Sequence, residues 1–113
     1  MTKAAVTDRQ LMQAIDFDGE SVGALRACTE RALLAEGRLK RVKAQVMKSF
    51  ADLAVTAQER EAYASDTYAA ALEEEAKAAA ALEEIKAARA HARLTIDIWR
   101  TLEASHRIVS AYP

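Results

Sequence analysis

The sequence holds almost nothing that breaks a helix. Of its 113 residues three are Gly and one is Pro, Pro113. That scarcity excludes a collagen-like repeat, a turn-rich β-sandwich and a Gly-rich phosphate loop. Cys28 is the single cysteine, so no internal disulfide can form. Charge-free runs reach six residues, as at 10–15 and 67–72, far short of the roughly 20 that a membrane span requires. No basic-flanked apolar signal core is present near Met1, and a reducing, cytoplasmic setting without a membrane partner is expected. Aromatic residues make up only 5% of the chain, and the net charge is −1. Neither a strong global field nor a large aromatic core is available.

What is present is helix-forming. Ala alone contributes 27 residues, and with Glu, Arg, Leu and Lys it supplies more than half the chain, a composition typical of long helices and coiled coils. Length allows one domain, here a single helical domain over 1–113. Thr7-x-x-Gln10 is a capping-box pattern and predicts a short helix from Asp8 to about Ile15. Asp16-Phe17-Asp18-Gly19 then reads as a turn, so that 1–19 forms a short helix and turn.

A first long helix is expected over 20–54. Its apolar stripe, Leu25, Cys28, Ala32, Ala35, Leu39, Val42, Val46, Ser49 and Leu53, alternates spacings of three and four. A two-in-seven stripe of that length packs lengthwise on another helix. Gly37 falls on the opposite face, where it weakens the helix by roughly 1 kcal/mol relative to Ala. Thr56-x-x-Glu59 suggests a second capping box and Ser65-Asp66-Thr67 further caps, so 55–67 reads as the turn region, with a short helical piece near 58–63. A second long helix is expected over 68–110. Its stripe runs through Ala78, Ala81, Ile85, Ala88, Ala92, Thr95, Trp99, Leu102, His106 and Val109. Residues 94–99 alternate like a strand, but no partner strand is available and the helical reading prevails.

The fold class expected is therefore all-α: a long antiparallel, coiled-coil-like helical hairpin with a short N-terminal helix. An Ala-rich seam buries little apolar area at roughly 25 cal/mol per Å². Ile96, Ile98, Trp99 and Leu102, with Leu33, Leu34, Met47 and Phe50, cannot all face one partner helix. A homo-oligomer with an interface at Ile96, Ile98, Trp99 and Leu102 is the expectation.

Catalytic chemistry finds no foothold. Glu103-x-x-His106 places two potential metal ligands on one helix face, but carboxylate-bridged sites need further inward acids on facing helices, and the first stripe offers none. Cys28 has no histidine nearby in sequence to activate it and reads as a small seam hydrophobe. Consecutive acids such as Glu73-Glu74-Glu75 point apart on a helix. No enzyme activity, no metal and no cofactor are expected.

Charge is segregated behind the near-neutral total. Residues 1–22 carry a net −2, 23–51 a net +5, 52–85 a net −7 and 86–113 a net +3. Arg38, Lys40, Arg41, Lys43 and Lys48 lie in an acid-free run, and Lys86, Arg93, Arg100 and Arg107 recur every seven residues, with Arg89 beside them. Such tracks suit a phosphate backbone, contacted electrostatically and without sequence preference. They equally suit basic flanks of an apolar seam that pair with acids such as Glu73–Glu75.

With Arg38-Leu39-Lys40-Arg41-Val42-Lys43, Gln58-Glu59-Arg60-Glu61-Ala62-Tyr63-Ala64, Tyr68 and Ile96-Asp97-Ile98-Trp99-Arg100-Thr101-Leu102 in view, the chain resembles the small helical phage recombination mediators related to UvsY. The resemblance covers about residues 31–107. It implies a ring-forming protein that binds single-stranded DNA, displaces the single-strand-binding protein and loads a RecA-like recombinase. Its DNA-contacting basic residues fall here on Arg38, Lys40, Arg41 and Lys43; Lys48, Lys86 and Arg93 extend the candidate surface from their own spacing. The scarcity of aromatics departs from an ideal base-stacking surface. The rival reading is a phage-encoded or structural helical protein that docks on another protein, as inhibitor or adaptor, without nucleic acid.

Overall fold

The computed structural model describes residues 5–111; the outermost residues of the single-domain reading, 1–4 and 112–113, lie outside them. Among the described residues the secondary structure is entirely α-helical: α1 Asp8–Glu20, α2 Val22–Ser49, α3 Val55–Ala64 and α4 Asp66–Ala111. The last is a single helix of 46 residues, about 69 Å long at 1.5 Å per residue. The 94–99 segment belongs to it and forms no strand.

α1 starts as expected. The Thr7 hydroxyl accepts from the Gln10 amide and the Gln10 side chain accepts from the Thr7 amide, at 3.1 and 2.9 Å, which closes the capping box. Its end differs from the expectation. Asp16 to Gly19 are helical, and the break comes at Ser21, whose amide donates to the Phe17 carbonyl at 2.9 Å. Phe17 and Asp18 are half-buried, and tertiary contacts of Asp18 outweigh its local turn preference.

Boundaries move elsewhere too. α2 stops at Ser49, short of residue 54, and the 55–67 turn region is mostly α3. Thr56 does not cap α3. Ala54 holds that position without a side-chain bond, while the Gln58 side-chain Nε2 donates to the Leu53 carbonyl at 2.8 Å. Ser65 alone separates α3 from α4: its hydroxyl donates to the Ala62 carbonyl at 2.7 Å and accepts from the Tyr68 amide at 3.1 Å. One serine thus finishes one helix and caps the next.

Internal contacts gather into two compact units, with α2 and α4 contributing to both. The central unit comprises Arg26–Glu83. Its buried residues are Ala35, Val42, Ala62, Ala71 and Ala78, with Ala62 and Ala78 fully enclosed. Arg31 on α2 meets Glu74 on α4 at 3.2 Å, and farther along α2 Lys43 lies over the Tyr63 ring. Buried alanines let helix backbones approach closely but bring little apolar area. The expected α2 stripe is buried or half-buried from Cys28 through Val46 here, whereas Ser49 and Leu53 are exposed.

The other unit joins residues up to Leu25 with those from Glu84 onward. Val6, Ala14 and Ala92 are its buried apolar residues, and Ser21 and Arg89 its buried polar ones. The expected α4 stripe is corrected at one turn: Ala88 is exposed and Arg89 is buried in its place. Beyond Glu103 every described residue of α4 is exposed, His106 and Val109 among them.

Candidate nucleic-acid interface

The basic residues of α2 divide by helical position. Arg38, Arg41 and Lys48, with Gln45 between, follow a three-four-three spacing that places them along one side of the helix over about 15 Å. All three are exposed, and none forms an ion pair with another described residue. Lys40 lies on the other side, 3.5 Å from Glu36 one turn earlier, with both side chains largely in solvent. Exposed pairs of that spacing contribute only about 0.3–0.5 kcal/mol, so Lys40 exchanges partners at little cost.

Lys43 is engaged differently. Its ammonium stands 4.8 Å from the centre of the Tyr63 ring, an attractive placement over a π face. A side-chain hydrogen bond to Tyr63 is the main cause that raises its pKa above the ordinary lysine value; desolvation opposes it, and the charges of Tyr63 and Glu59 add lesser contributions in the raising direction. Lys43 is therefore a full cation at any physiological pH. Tyr63 also meets Tyr68 edge to face, with ring centres 5.3 Å apart, and it remains 53% exposed. An exposed aromatic beside a lysine is the pairing that single-stranded nucleic acid uses for a base and its phosphate. Composition hid this cluster, because three tyrosines in a long chain carry no signal until α3 brings Tyr63 to Lys43.

The seven-residue ridge on α4 has other business. Arg93 donates through Nε to the Asp18 carboxylate at 3.2 Å, and Arg100 pairs loosely with Asp97 at 3.9 Å. Lys86 also has a partner within the structure. Arg89, which the sequence places merely beside this ridge, is 8% exposed. Its guanidinium donates to the Asp18 carbonyl at 2.9 Å and to the Ser21 hydroxyl at 2.6 Å, and it lies 3.7 Å from the Asp18 carboxylate. A cation at the end of α1 satisfies a terminal carbonyl and complements the helix dipole there. Arg89 was the structural residue to find. The available clue is its place four residues after Ile85 and three before Ala92, which is a seam position.

Ile96 and Trp99 are half-buried on the side of α4 that carries Ala92, whereas Ile98 is 37% exposed and turns the other way. Among the described residues no group of three or more His, Cys, Asp or Glu side chains gathers to hold a metal ion. Among the described residues no helix is long and apolar enough to cross a membrane. Cys28 is half-buried. Comparison with protein-family models, curated proteins and solved structures finds no match to the chain.

Proposed function

We propose that the chain is a single-stranded DNA-binding recombination mediator, built as an antiparallel helical hairpin that self-associates and helps load a RecA-like recombinase. The observation that carries the reading is the exposed side of α2: Arg38, Arg41 and Lys48 stand in register along one helix with no acid paired to them. Lys40 and the Lys43–Tyr63 cluster add two cations and a stacking surface on the other side of the same helix. Recombinase loading and displacement of the single-strand-binding protein rest on the resemblance of residues 31–107 to the mediator family. Arg93, already held by Asp18, and Lys86 are secondary candidates on α4.

Three phosphate contacts per chain bind weakly at physiological salt, and repetition of the patch in a homo-oligomer raises avidity by a factor on the order of 10² to 10⁴ when the spacing fits. Fluorescence anisotropy with an unstructured labelled oligonucleotide tests this. Each phosphate neutralised on a single strand contributes about −0.7 to the slope of log K against log salt, so the three α2 cations contribute about −2 per chain. Arg38→Ala, Arg41→Ala and Lys48→Ala together should remove that share with helix content unchanged. A triple variant that binds like wild type overturns the assignment to α2.

One observation favours the second reading, a protein-docking adaptor or inhibitor. Leu33 and Leu34 are 65% and 67% exposed on α2, and Leu34 lies in an open groove with Arg31, Arg38 and Glu74. A chain that shows no binding to single-stranded DNA even at low salt takes this reading instead.

A further inference from the structure

The outer half of α4 carries two seams one step apart. The inner one, Ile85, Arg89, Ala92, Ile96, Trp99 and Glu103, is buried or half-buried within its unit. The outer one, His91, Thr95, Ile98, Leu102, Ser105 and Val109, alternates spacings of four and three over 19 residues. Thr95 and Leu102 are half-buried, and the rest are exposed, Ile98 by 37% and Val109 by 72%. Leu94 and Ile108, which flank the outer seam, are 56% and 61% exposed. In the heptad that this spacing defines, all core and flanking positions from His91 to Val109 lack Asp, Glu, Lys or Arg. The charged residues of the segment, Arg93, Asp97, Arg100, Glu103 and Arg107, occupy the remaining positions.

We infer that the outer seam is the contact between two copies of this chain, paired antiparallel along α4. A sustained three-four seam fits a second helix rather than a flat surface or a small ligand. Its partner needs a matching uncharged heptad, because a charge on either flank would enter the contact without an opposite charge to meet it. The chain itself supplies that match, since two copies of 91–109 bring no like charges together at core or flanking positions. The antiparallel orientation also opposes the two helix dipoles.

Two-fold symmetry with full overlap of 91–109 in both copies then sets the register. In an antiparallel coiled coil the two core positions of the heptad face each other across the axis, which sets Leu102 against Ile98 of the second copy, and Ile98 against its Leu102. Thr95 meets Ser105 of the second copy, hydroxyl to hydroxyl, and Val109 meets its His91. The structure offers a seat for the incoming end. An open groove of about 580 Å³ runs between α1 and α4, lined by Gln10, Phe17, His91, Thr95 and Ile98 among others. Ile108 and Val109, left bare where α4 is exposed on all sides, fill that groove on the second copy. Each chain completes the apolar surface of the other. The proposal does not depend on DNA binding and gives one definite contact for the self-association expected from the sequence.

The test is solution mass at tens of micromolar, read with crosslinking. Wild type should have at least twice the 12.3 kDa chain mass. Ser105→Glu with Val109→Glu, both exposed in the single chain, should reduce an isolated dimer to one chain while circular dichroism stays unchanged. In a Cys28→Ala background, chains carrying Thr95→Cys should form a disulfide with chains carrying Ser105→Cys when mixed, and neither should link to itself. A monomeric wild type overturns the proposal, as does a Glu variant of unchanged mass. Self-linking by the Ser105→Cys chain alone overturns the antiparallel register. Loss of DNA binding with the mass intact counts against the mediator reading and leaves this contact standing.

Discussion

Two sets of arginines, one in each unit of the molecule, are held in different ways. In the unit formed by α1 and the outer half of α4, Arg89 and Arg93 both turn to Asp18, and the buried guanidinium of Arg89 joins the end of α1 to Ser21. In the central unit, the core is closed by alanines, and Arg38, Arg41 and Lys48 stay outside without an ion pair. Net charge along the chain therefore does not predict where binding charge is displayed. Arg89 and Arg93 hold the acidic start of the chain, whereas on α2 Arg31 meets Glu74 and Arg38, Arg41 and Lys48 are left facing solvent.

The largest break in that comparison should come from Arg89→Ala. It leaves the Asp18 carbonyl and the buried Ser21 hydroxyl without their charged donor, at a cost of about 2–3 kcal/mol for hydrogen bonds of that kind. That is a large fraction of the 5–15 kcal/mol that stabilises an ordinary domain. Urea unfolding should show the loss, and hydrogen exchange should accelerate in α1 while amides around Ala35 and Val42 keep their protection. A cost below about 1 kcal/mol would mean that water replaces Arg89 and that the first unit is held by its apolar contacts.

Much of the helical layout was legible. Period-3.6 stripes gave the two long helices, and the Thr7 and Ser65 caps marked true starts, because a capping side chain acts within three residues and needs no tertiary information. The Thr56 cap failed locally, because Ala54 takes that position; the larger misses depended on distant partners. Asp16 to Gly19 have the composition of a turn, yet Asp18 is held in a helix by arginines more than 70 residues away. Arg89 was hidden because an arginine in a seam reads as a break in the apolar pattern unless its acceptors are known. The candidate surface was legible as a run of cations, but not as two sides, and the Tyr63 contribution depended on where α3 turns.

A smaller effect sharpens the central unit. Gly37 is exposed in the middle of α2, and a Cβ built there meets nothing within 4 Å. Gly37→Ala should stabilise by about 0.5–1 kcal/mol through lower backbone entropy in the unfolded chain. Chemical denaturation should register the gain, and α2 amides of the central unit should exchange more slowly. Gly37 stands one turn before Arg41 on the same face, but the substitution neither adds nor removes a charge, so the salt slope of DNA binding should not move. A slope that falls with this variant would show that flexibility in α2, and not only its charge, contributes to the interface.

The smallest expected effect is the most discriminating. Arg93 is a candidate DNA-binding residue that the structure also ties to Asp18, at 3.2 Å, yet its side chain is 64% exposed. An ion pair that open to water contributes between about 0 and 1 kcal/mol, and Arg89 still holds Asp18 when Arg93 is removed. Arg93→Ala should therefore change stability by less than about 1 kcal/mol. Its effect on DNA binding separates two arrangements. If the cation belongs to Asp18, the salt slope stays at its wild-type value; if Arg93 leaves Asp18 for a phosphate, the slope becomes shallower by about 0.7 per chain. Asp18→Asn sharpens the same choice from the other side, because weakening the carboxylate's hold frees Arg93. Tighter binding by Asp18→Asn that is abolished when Arg93→Ala is added would show Asp18 and DNA competing for one cation within the unit that holds both residues, and the contrast between inward and outward arginines would then be a balance that DNA can shift.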